Sequence, residues 1–145
     1  MTNNEIVAKL NELLEAERAG VPLLSELARC QPRGYIRNDL EKIGKDEAAS
    51  CAGLVKAIHR QKGTPSPATN DFAAKVLALP SEEEQLSLLA RGQAWVLKRI
   101  DAVMALELDT ESAAFLRDMR VAHQRNIEWC NARAEGLRAR SGNLS

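Results

Sequence analysis

The fold can be read from residues 36–59, IRNDLEKIGKDEAASCAGLVKAIH. Apolar side chains recur there at intervals of three and four, which is the period of a helix with one buried face. The stripe is interrupted once, near its centre, by Glu47. The pattern predicts a helix from Tyr35 to Lys62 whose buried face consists of Ile36, Leu40, Ile43, Glu47, Cys51, Leu54 and Ile58.

Three more segments repeat this pattern, each with one polar residue near the middle of an otherwise apolar stripe. We predict helices over residues 4–30, 82–108 and 110–139, in which the polar residues are Glu17, Gln93 and His123. Each of the four helices would be about 40 Å long. Because four such stripes bury one another most simply in a single core, the sequence predicts an all-α fold, a four-helix bundle.

The connections carry the usual signals for turns and helix ends. Residues 63–69 contain Gly and two Pro, which predicts a loop, and a short extra helix is expected from Asn70 to Leu79. Ser81 and Glu84 form a capping-box pattern, and Thr110 is the expected N-cap of the last helix. The long link between the second and third main helices permits an up-down-down-up topology. We expect one domain, residues 1–140, and a frayed tail, residues 141–145.

Composition excludes several classes of function. The chain has 145 residues with 20 Lys and Arg against 20 Asp and Glu, so bulk charge does not favour nucleic acid or an anionic membrane. Aromatic residues make up only 3%, which leaves few platforms for stacking bases. The N-terminal sequence lacks the apolar core of a signal peptide, and three widely spaced cysteines fit reduced thiols. We therefore expect a cytoplasmic protein.

The four polar residues should meet in one cross-section of the bundle. Each lies near the midpoint of its helix, and midpoints share one level whichever way the helices run. An unpaired carboxylate in a dry core lowers the stability of the fold by roughly several kcal/mol, even after the surroundings relax. Three remedies exist: a divalent cation bound by both carboxylates and the imidazole, one protonated carboxyl beside a charged His123, or a nearby arginine that reaches in. Arg18, Arg91 and Arg120 adjoin the layer in sequence.

At these residues the chain resembles the ferritin-like superfamily. Its members place a Glu on each of two helices and a Glu-x-x-His on each of the other two, around two iron or manganese ions. Glu17, in LLEAERAG, matches the ligand of the first helix, Glu47 matches the first residue of the second-helix motif, and His123 matches the histidine of the last motif. The runs GQAWVLKRI and MRVAHQRNI also look like those of small bacterial members of this superfamily.

Three positions depart from the pattern that the resemblance implies. Ser50 stands where the histidine of the second helix is expected, and Arg120 stands where the glutamate of the last helix is expected. Gln93 stands near the position of the third-helix glutamate. Arg120 would also place a positive charge beside the second metal position. The resemblance therefore implies a degenerate motif that holds at most a single ion such as Fe(II), Mn(II) or Zn(II).

Two main hypotheses follow for the function. In the first, a degenerate ferritin-like bundle performs no chemistry and acts as a structural or interaction protein, with its polar layer held by hydrogen bonds and a buried salt bridge. In the second, Glu17, Glu47 and His123 bind one divalent ion that is the reactive centre, as in an oxidoreductase, with Asp46 or Gln93 supporting the ligands. A third class is a small-molecule binder anchored on the polar layer.

Other residues predict little chemistry. The sequence contains no Gly-rich phosphate loop, no HExxH motif and no Ser-His-Asp set, so no catalytic side chain and no organic cofactor are predicted. Cys51 and Cys130 lie on inward stripes and are interpreted as small core residues, with a redox pair as the lesser alternative. The expected partner is a second copy of the chain, in a homodimer.

Overall fold

Five α-helices follow one another along the part of the chain that the computed structural model describes, residues 3–144. They are α1 (Asn3–Arg29), α2 (Tyr35–Arg60), α3 (Phe72–Leu77), α4 (Glu82–Met104) and α5 (Thr110–Leu144). No strand occurs among these residues, so the prediction of an all-α fold is confirmed. The short α3 lies in the long connection between α2 and α4, as the sequence predicted. Among residues 3–144, every helix is too short or too polar to serve as a transmembrane span.

Contacts between helix ends establish the directions of the four long helices. Arg60 near the end of α2 pairs with Asp109 just before α5, and Arg133 far along α5 pairs with Glu82 at the start of α4. One half of the core is formed by the start of α1, the end of α2, the end of α4 and the start of α5. The other half is formed by the opposite ends of the same four helices. The topology is therefore up-down-down-up, as the long connection permits.

The connection between α2 and α4 runs along α1 and is fastened to it. The Asn11 amide donates to the carbonyl of Thr64 at 3.1 Å. The guanidinium of Arg18 donates to the carbonyls of Ser66 and Ala68 at 2.7 and 2.6 Å. Further along, the ring of Phe72 packs so closely on α4 that a Cβ atom added at Gly92 would lie 2.5 Å from it. Glycine at position 92 therefore lets the connection close over the bundle.

Local signals set the helix ends, with one correction. Ser81 caps α4 as predicted, since its hydroxyl accepts from the backbone N–H of Glu84 at 3.1 Å. Thr110 is not the cap of α5. Asp109 takes that role, because its carboxylate accepts from the N–H of Ser112 at 2.9 Å. A carboxylate at this position also interacts favourably with the positive end of the helix dipole.

The buried faces differ from the predicted stripes at a few positions. Ser50 rather than Cys51 is buried on α2, and Asn126 rather than Ile127 is buried on α5. Both shifts move the buried face by one residue, which corresponds to about 100° around a helix. The last helix also continues through residues 141–144 instead of ending near Ala139, because no helix-breaking proline interrupts it. Ser145 of the predicted tail lies outside the described residues.

Candidate metal centre

The four polar residues of the stripes lie together in the middle of the bundle. The exposed fractions of Glu17, Glu47, Gln93 and His123 are 1%, 2%, 4% and 2%. These residues separate the two apolar halves of the core, so we call them the polar layer. One ligand atom from each of Glu17, Glu47 and His123 lies within 4.8 Å of the others. The three residues predicted as metal ligands therefore converge.

The backbone orients the imidazole of His123. Nδ1 lies 2.9 Å from the carbonyl oxygen of Met119, one turn earlier on α5. A carbonyl can only accept, so Nδ1 carries the proton in this contact and neutral Nε2 presents a lone pair. Nε2 lies 2.9 Å from Oε1 of Glu17, yet neither atom has a hydrogen-bond partner among the described residues. Two acceptor atoms at this distance require a proton or a cation between them.

On the other side of the layer, Gln93 and Glu47 also have more acceptor atoms than donors. The Gln93 amide N–H donates to Oε1 of Glu47. That single bond leaves Oε1 of Gln93 and Oε2 of Glu47 without partners among the described residues. Together with Oε1 of Glu17 and Nε2 of His123, the layer holds four buried atoms that lack a partner among the described residues. All four are acceptors when the carboxyl groups are ionised and the imidazole is neutral.

Burial and mutual repulsion shift the two carboxyl groups in the same direction. Burial raises the pKa of Glu17 to about 7, although hydrogen bonds with Glu47 and Ser50 offset part of the shift. Burial also raises the pKa of Glu47 well above its ordinary value, with a further contribution from the negative charge of Glu17, and the opposing effect of His123 is smaller. Without a cation, the pair therefore retains protons at pH values where exposed carboxyl groups have lost them.

Two small residues make room for the carboxylates. A Cβ atom added at Gly20 would lie 3.0 Å from Cδ of Glu47, so the missing side chain leaves space for that group. Ser50 is 5% exposed and hydrogen-bonds with Glu17. The sequence singled out Ser50 only as a departure from the two-metal pattern and gave no role to Gly20, although each lies three residues after a candidate ligand and hence on the same helix face.

Several residues that adjoin the layer in sequence do not reach it. Arg120 lies at the surface, where its Nε is 2.7 Å from Asp101 Oδ1, so the expected positive charge beside a second metal position is not there. Arg18 is bound to the connection, and Arg91 is exposed. Asp46 lines surface grooves instead of supporting the ligands. Of the two residues expected to support the ligands, only Gln93 contacts one.

The donor set suits one ion and does not suit two. Among the described residues, the group of Glu17, Glu47 and His123 is the one cluster of three ligand-type side chains. The remaining positions of the two-metal pattern hold Ser50, Gln93 and the outward-facing Arg120. Two carboxylates and one imidazole nitrogen provide three ligands of types that bind Zn(II), Fe(II) and Mn(II).

The cysteines add no redox centre to this layer. Burial raises the pKa of the Cys51 thiol to about 11 and that of Cys130 to about 12, so both stay protonated at neutral pH. Cys51 packs against one apolar half of the core and Cys130 belongs to the other half. The contacts therefore agree with the interpretation of both as small core residues.

A cleft leads from the surface to the polar layer. Its volume is about 450 Å³, and it lies between α1, the segment that contains α3, and α4. Glu17, Glu47 and Gln93 are at its inner end, which we call the floor. The carboxylate side of the layer is therefore the side that a small molecule can approach.

Comparisons with known proteins agree with this architecture. Residues 4–133 match the model of a family described as a domain of unknown function (DUF6306). The chain is also similar to a solved structure described as ferritin like, diiron-carboxylate proteins from Bacillus anthracis str. Ames, with a TM-score of 0.78 and 20% identity. That alignment covers 91% of this chain and 96% of the other. No curated protein matches the chain. At this identity the likeness shows the fold, which is ferritin-like.

Proposed function

The chain belongs to the family described as a domain of unknown function (DUF6306) and has a ferritin-like fold, and on that premise we propose that it binds one divalent transition-metal ion through Glu17, Glu47 and His123. The similar solved structure carries the words diiron-carboxylate in its description. Since three of the six ligand positions differ here, the proposal is for a single ion.

One observation carries this proposal: four buried atoms without partners meet in one layer, and each can act as an acceptor. A buried polar atom without a partner costs about 1–3 kcal/mol, and more if it is charged. A cation in the layer would satisfy several of these atoms at once. One proton between Oε1 of Glu17 and Nε2 of His123 would satisfy those two atoms and leave Oε2 of Glu47 and Oε1 of Gln93 without partners. The contacts therefore favour the metal hypothesis over a purely structural layer.

The surroundings support the same role for each ligand. The Met119 carbonyl fixes the imidazole so that Nε2 is the free nitrogen, as is common for histidines that bind metals. The Gln93 amide holds one oxygen of Glu47 and leaves the other available. A bound ion of this kind supplies Lewis-acid or redox chemistry, and the apolar halves of the core on either side limit access of water.

The structural hypothesis keeps one specific support. Both carboxyl groups have raised pKa values, so a proton shared between Glu17 and Glu47 could replace the ion, and Gln93 already donates to Glu47. In that state the layer would be a neutral hydrogen-bonded network that performs no chemistry. The two hypotheses differ in metal content, which can be measured directly.

The test is elemental analysis of protein purified without chelators, followed by titration of stripped protein with Zn(II), Mn(II) and Fe(II). We expect one ion per chain. An ion at about 100 times its dissociation constant stabilises the fold by about 2.7 kcal/mol, which for a domain of this size raises the melting temperature on the order of 5–10 °C.

Matched variants identify the ligands. Glu47→Gln keeps the shape of the side chain and removes its charge, so it should abolish stoichiometric binding, and His123→Ala should do the same. His59→Ala is the control, because His59 is exposed and is the other of the two histidines. A protein that carries no metal, and whose melting temperature does not respond to any of the three ions, would overturn the proposal in favour of the structural network.

A further inference from the structure

The cleft above the polar layer has walls and a rim of different chemistry. Its walls are largely apolar, and they include Phe72 from α3 together with Leu88, Leu89, Trp95 and Val96 from α4. Its volume of about 450 Å³ falls within the range of small-molecule sites, which is roughly 300–1,000 Å³. At the floor, Glu47 and Gln93 each direct an unpartnered oxygen into the layer.

The rim of the cleft is rich in hydrogen-bond donors. Lys75 on α3 and Arg91 on α4 both line it, and Arg91 has no ion pair among the residues that the structure describes. Lys75 pairs with Asp71 at 3.5 Å, but both side chains are mostly exposed, so this pair is weak. The Asn70 side-chain oxygen accepts from the N–H of Phe72, which leaves its NH₂ group as a donor.

We infer that this cleft binds a small monocarboxylate with an apolar body, whose carboxylate lies at the rim between Lys75 and Arg91 and whose body extends along the apolar walls toward the polar layer. Two cations against one carboxylate give the rim a net positive charge, which complements an anionic head group. An apolar amine would meet like charge at the rim, and an apolar alcohol would lack the ion pairs.

This inference goes beyond the metal proposal and does not require the ion. None of the rim donors is a candidate metal ligand, and the apolar walls belong to different residues. Binding is therefore measured on protein stripped with a chelator, so that coordination of the carboxylate to a metal cannot contribute. Failure of metal binding and failure of carboxylate binding then appear in separate measurements.

The first experiment is isothermal calorimetry of the stripped protein with decanoate and with decanol, both below their aggregation limits. We expect saturable binding of one decanoate and weaker binding of decanol. Each exposed ion pair contributes about 0.7 kcal/mol, which is about threefold in affinity, so Lys75→Ala with Arg91→Ala should weaken decanoate binding by about tenfold and leave decanol unchanged. Lys98→Ala is the matched control, since Lys98 is exposed on α4 and does not line the cleft.

A second experiment locates the ligand. Trp95 lines the cleft and is 42% exposed, whereas Trp129 lies outside it and donates to Asp39. In a Trp129→Phe background, a bromine-labelled decanoate should quench the fluorescence of Trp95. In calorimetry, Leu88→Trp should fill the cleft and abolish binding without touching the polar layer. The inference is overturned if decanoate does not bind saturably, if decanol binds equally well, or if the double variant binds decanoate unchanged.

Discussion

Two regions of this protein bury acidic side chains in opposite surroundings: one is rich in hydrogen-bond donors and the other is poor in them. At one end of the bundle, Asp109 accepts from Gln61, from the N–H of Ser112 and from Arg60, at distances of 3.0, 2.9 and 3.1 Å. In the polar layer, Glu17 and Glu47 face each other and two further acceptor atoms. One acid is surrounded by donors, and the other two have a single amide donor and the Ser50 hydroxyl.

The difference appears in the pKa values. Partial burial acts to raise the pKa of Asp109, but hydrogen bonds from Ser112 and the charge of Arg60 outweigh it, so the pKa is lowered overall. For Glu17 and Glu47, burial outweighs every favourable contact and both pKa values rise. An ionised acid that is surrounded by hydrogen-bond donors is stabilised by the protein alone. A buried acid with few donors needs a proton or a cation to compensate its charge.

The largest expected effect is the change with pH in the free energy of unfolding. Between pH 4.5 and about 7, Glu17 keeps its proton in the folded chain and has lost it in the unfolded chain. Unfolding therefore releases protons in that range, and Glu17 alone should lower the free energy of unfolding of the metal-free protein by about 3 kcal/mol as pH rises through it. The raised pKa of Glu47 acts in the same direction. Urea denaturation at pH 5 and pH 8 measures the change. Stability that rose across this range would contradict the shifted pKa values. Glu17→Leu should reduce the slope and leave the part that the raised pKa of Glu47 contributes.

The next effect comes from removing the acid and the imidazole together. In Glu17→Leu with His123→Met, two buried polar groups become apolar side chains of similar size. Such exchanges commonly stabilise a fold by about 1–4 kcal/mol, and we expect about 2 kcal/mol for the metal-free protein at pH 7. Urea denaturation in the presence of a chelator tests this. A less stable variant would mean that the layer contributes to stability through its own hydrogen bonds.

The opposite sign is expected at the other cluster. Asp109→Ala removes the N-cap of α5 and a partner of Arg60, and it should lower the free energy of unfolding by about 1 kcal/mol. Glu111→Ala is a suitable control, since that more exposed carboxylate also approaches Arg60 but does not cap the helix. If Asp109→Ala were neutral, the contrast between the two clusters would lose its energetic basis.

The smallest effect is expected for Arg120→Ala. The resemblance to two-metal proteins gave this residue a place beside the site, but its guanidinium is exposed and pairs with Asp101. We expect no measurable change in the urea midpoint or in the affinity for Zn(II). A change in Zn(II) affinity would show that Arg120 influences the layer despite its position at the surface.

The period of the apolar residues was sufficient to predict the four long helices and the level at which Glu17, Glu47, Gln93 and His123 meet. The length of the link between α2 and α4 permitted the observed topology without requiring it. It could not predict side-chain direction beyond the stripe, so the outward turn of Arg120 and the burial of Ser50 and Asn126 were missed. The hydrogen bond from His123 to Met119 depends on a rotamer, which no spacing encodes. The homodimer, the cytoplasmic location and the role of the three residues as metal ligands stay predictions.

The topology distributes the polar layer over two helical hairpins. The α1–α2 hairpin carries both glutamates, and the α4–α5 hairpin carries the imidazole and Gln93. A ribosome that has released only the first 60 residues has thus produced two acids and no complete ligand set. Under the proposed function, the ion would therefore bind only after the second hairpin has packed against the first, and a bound ion would indicate that this packing is complete.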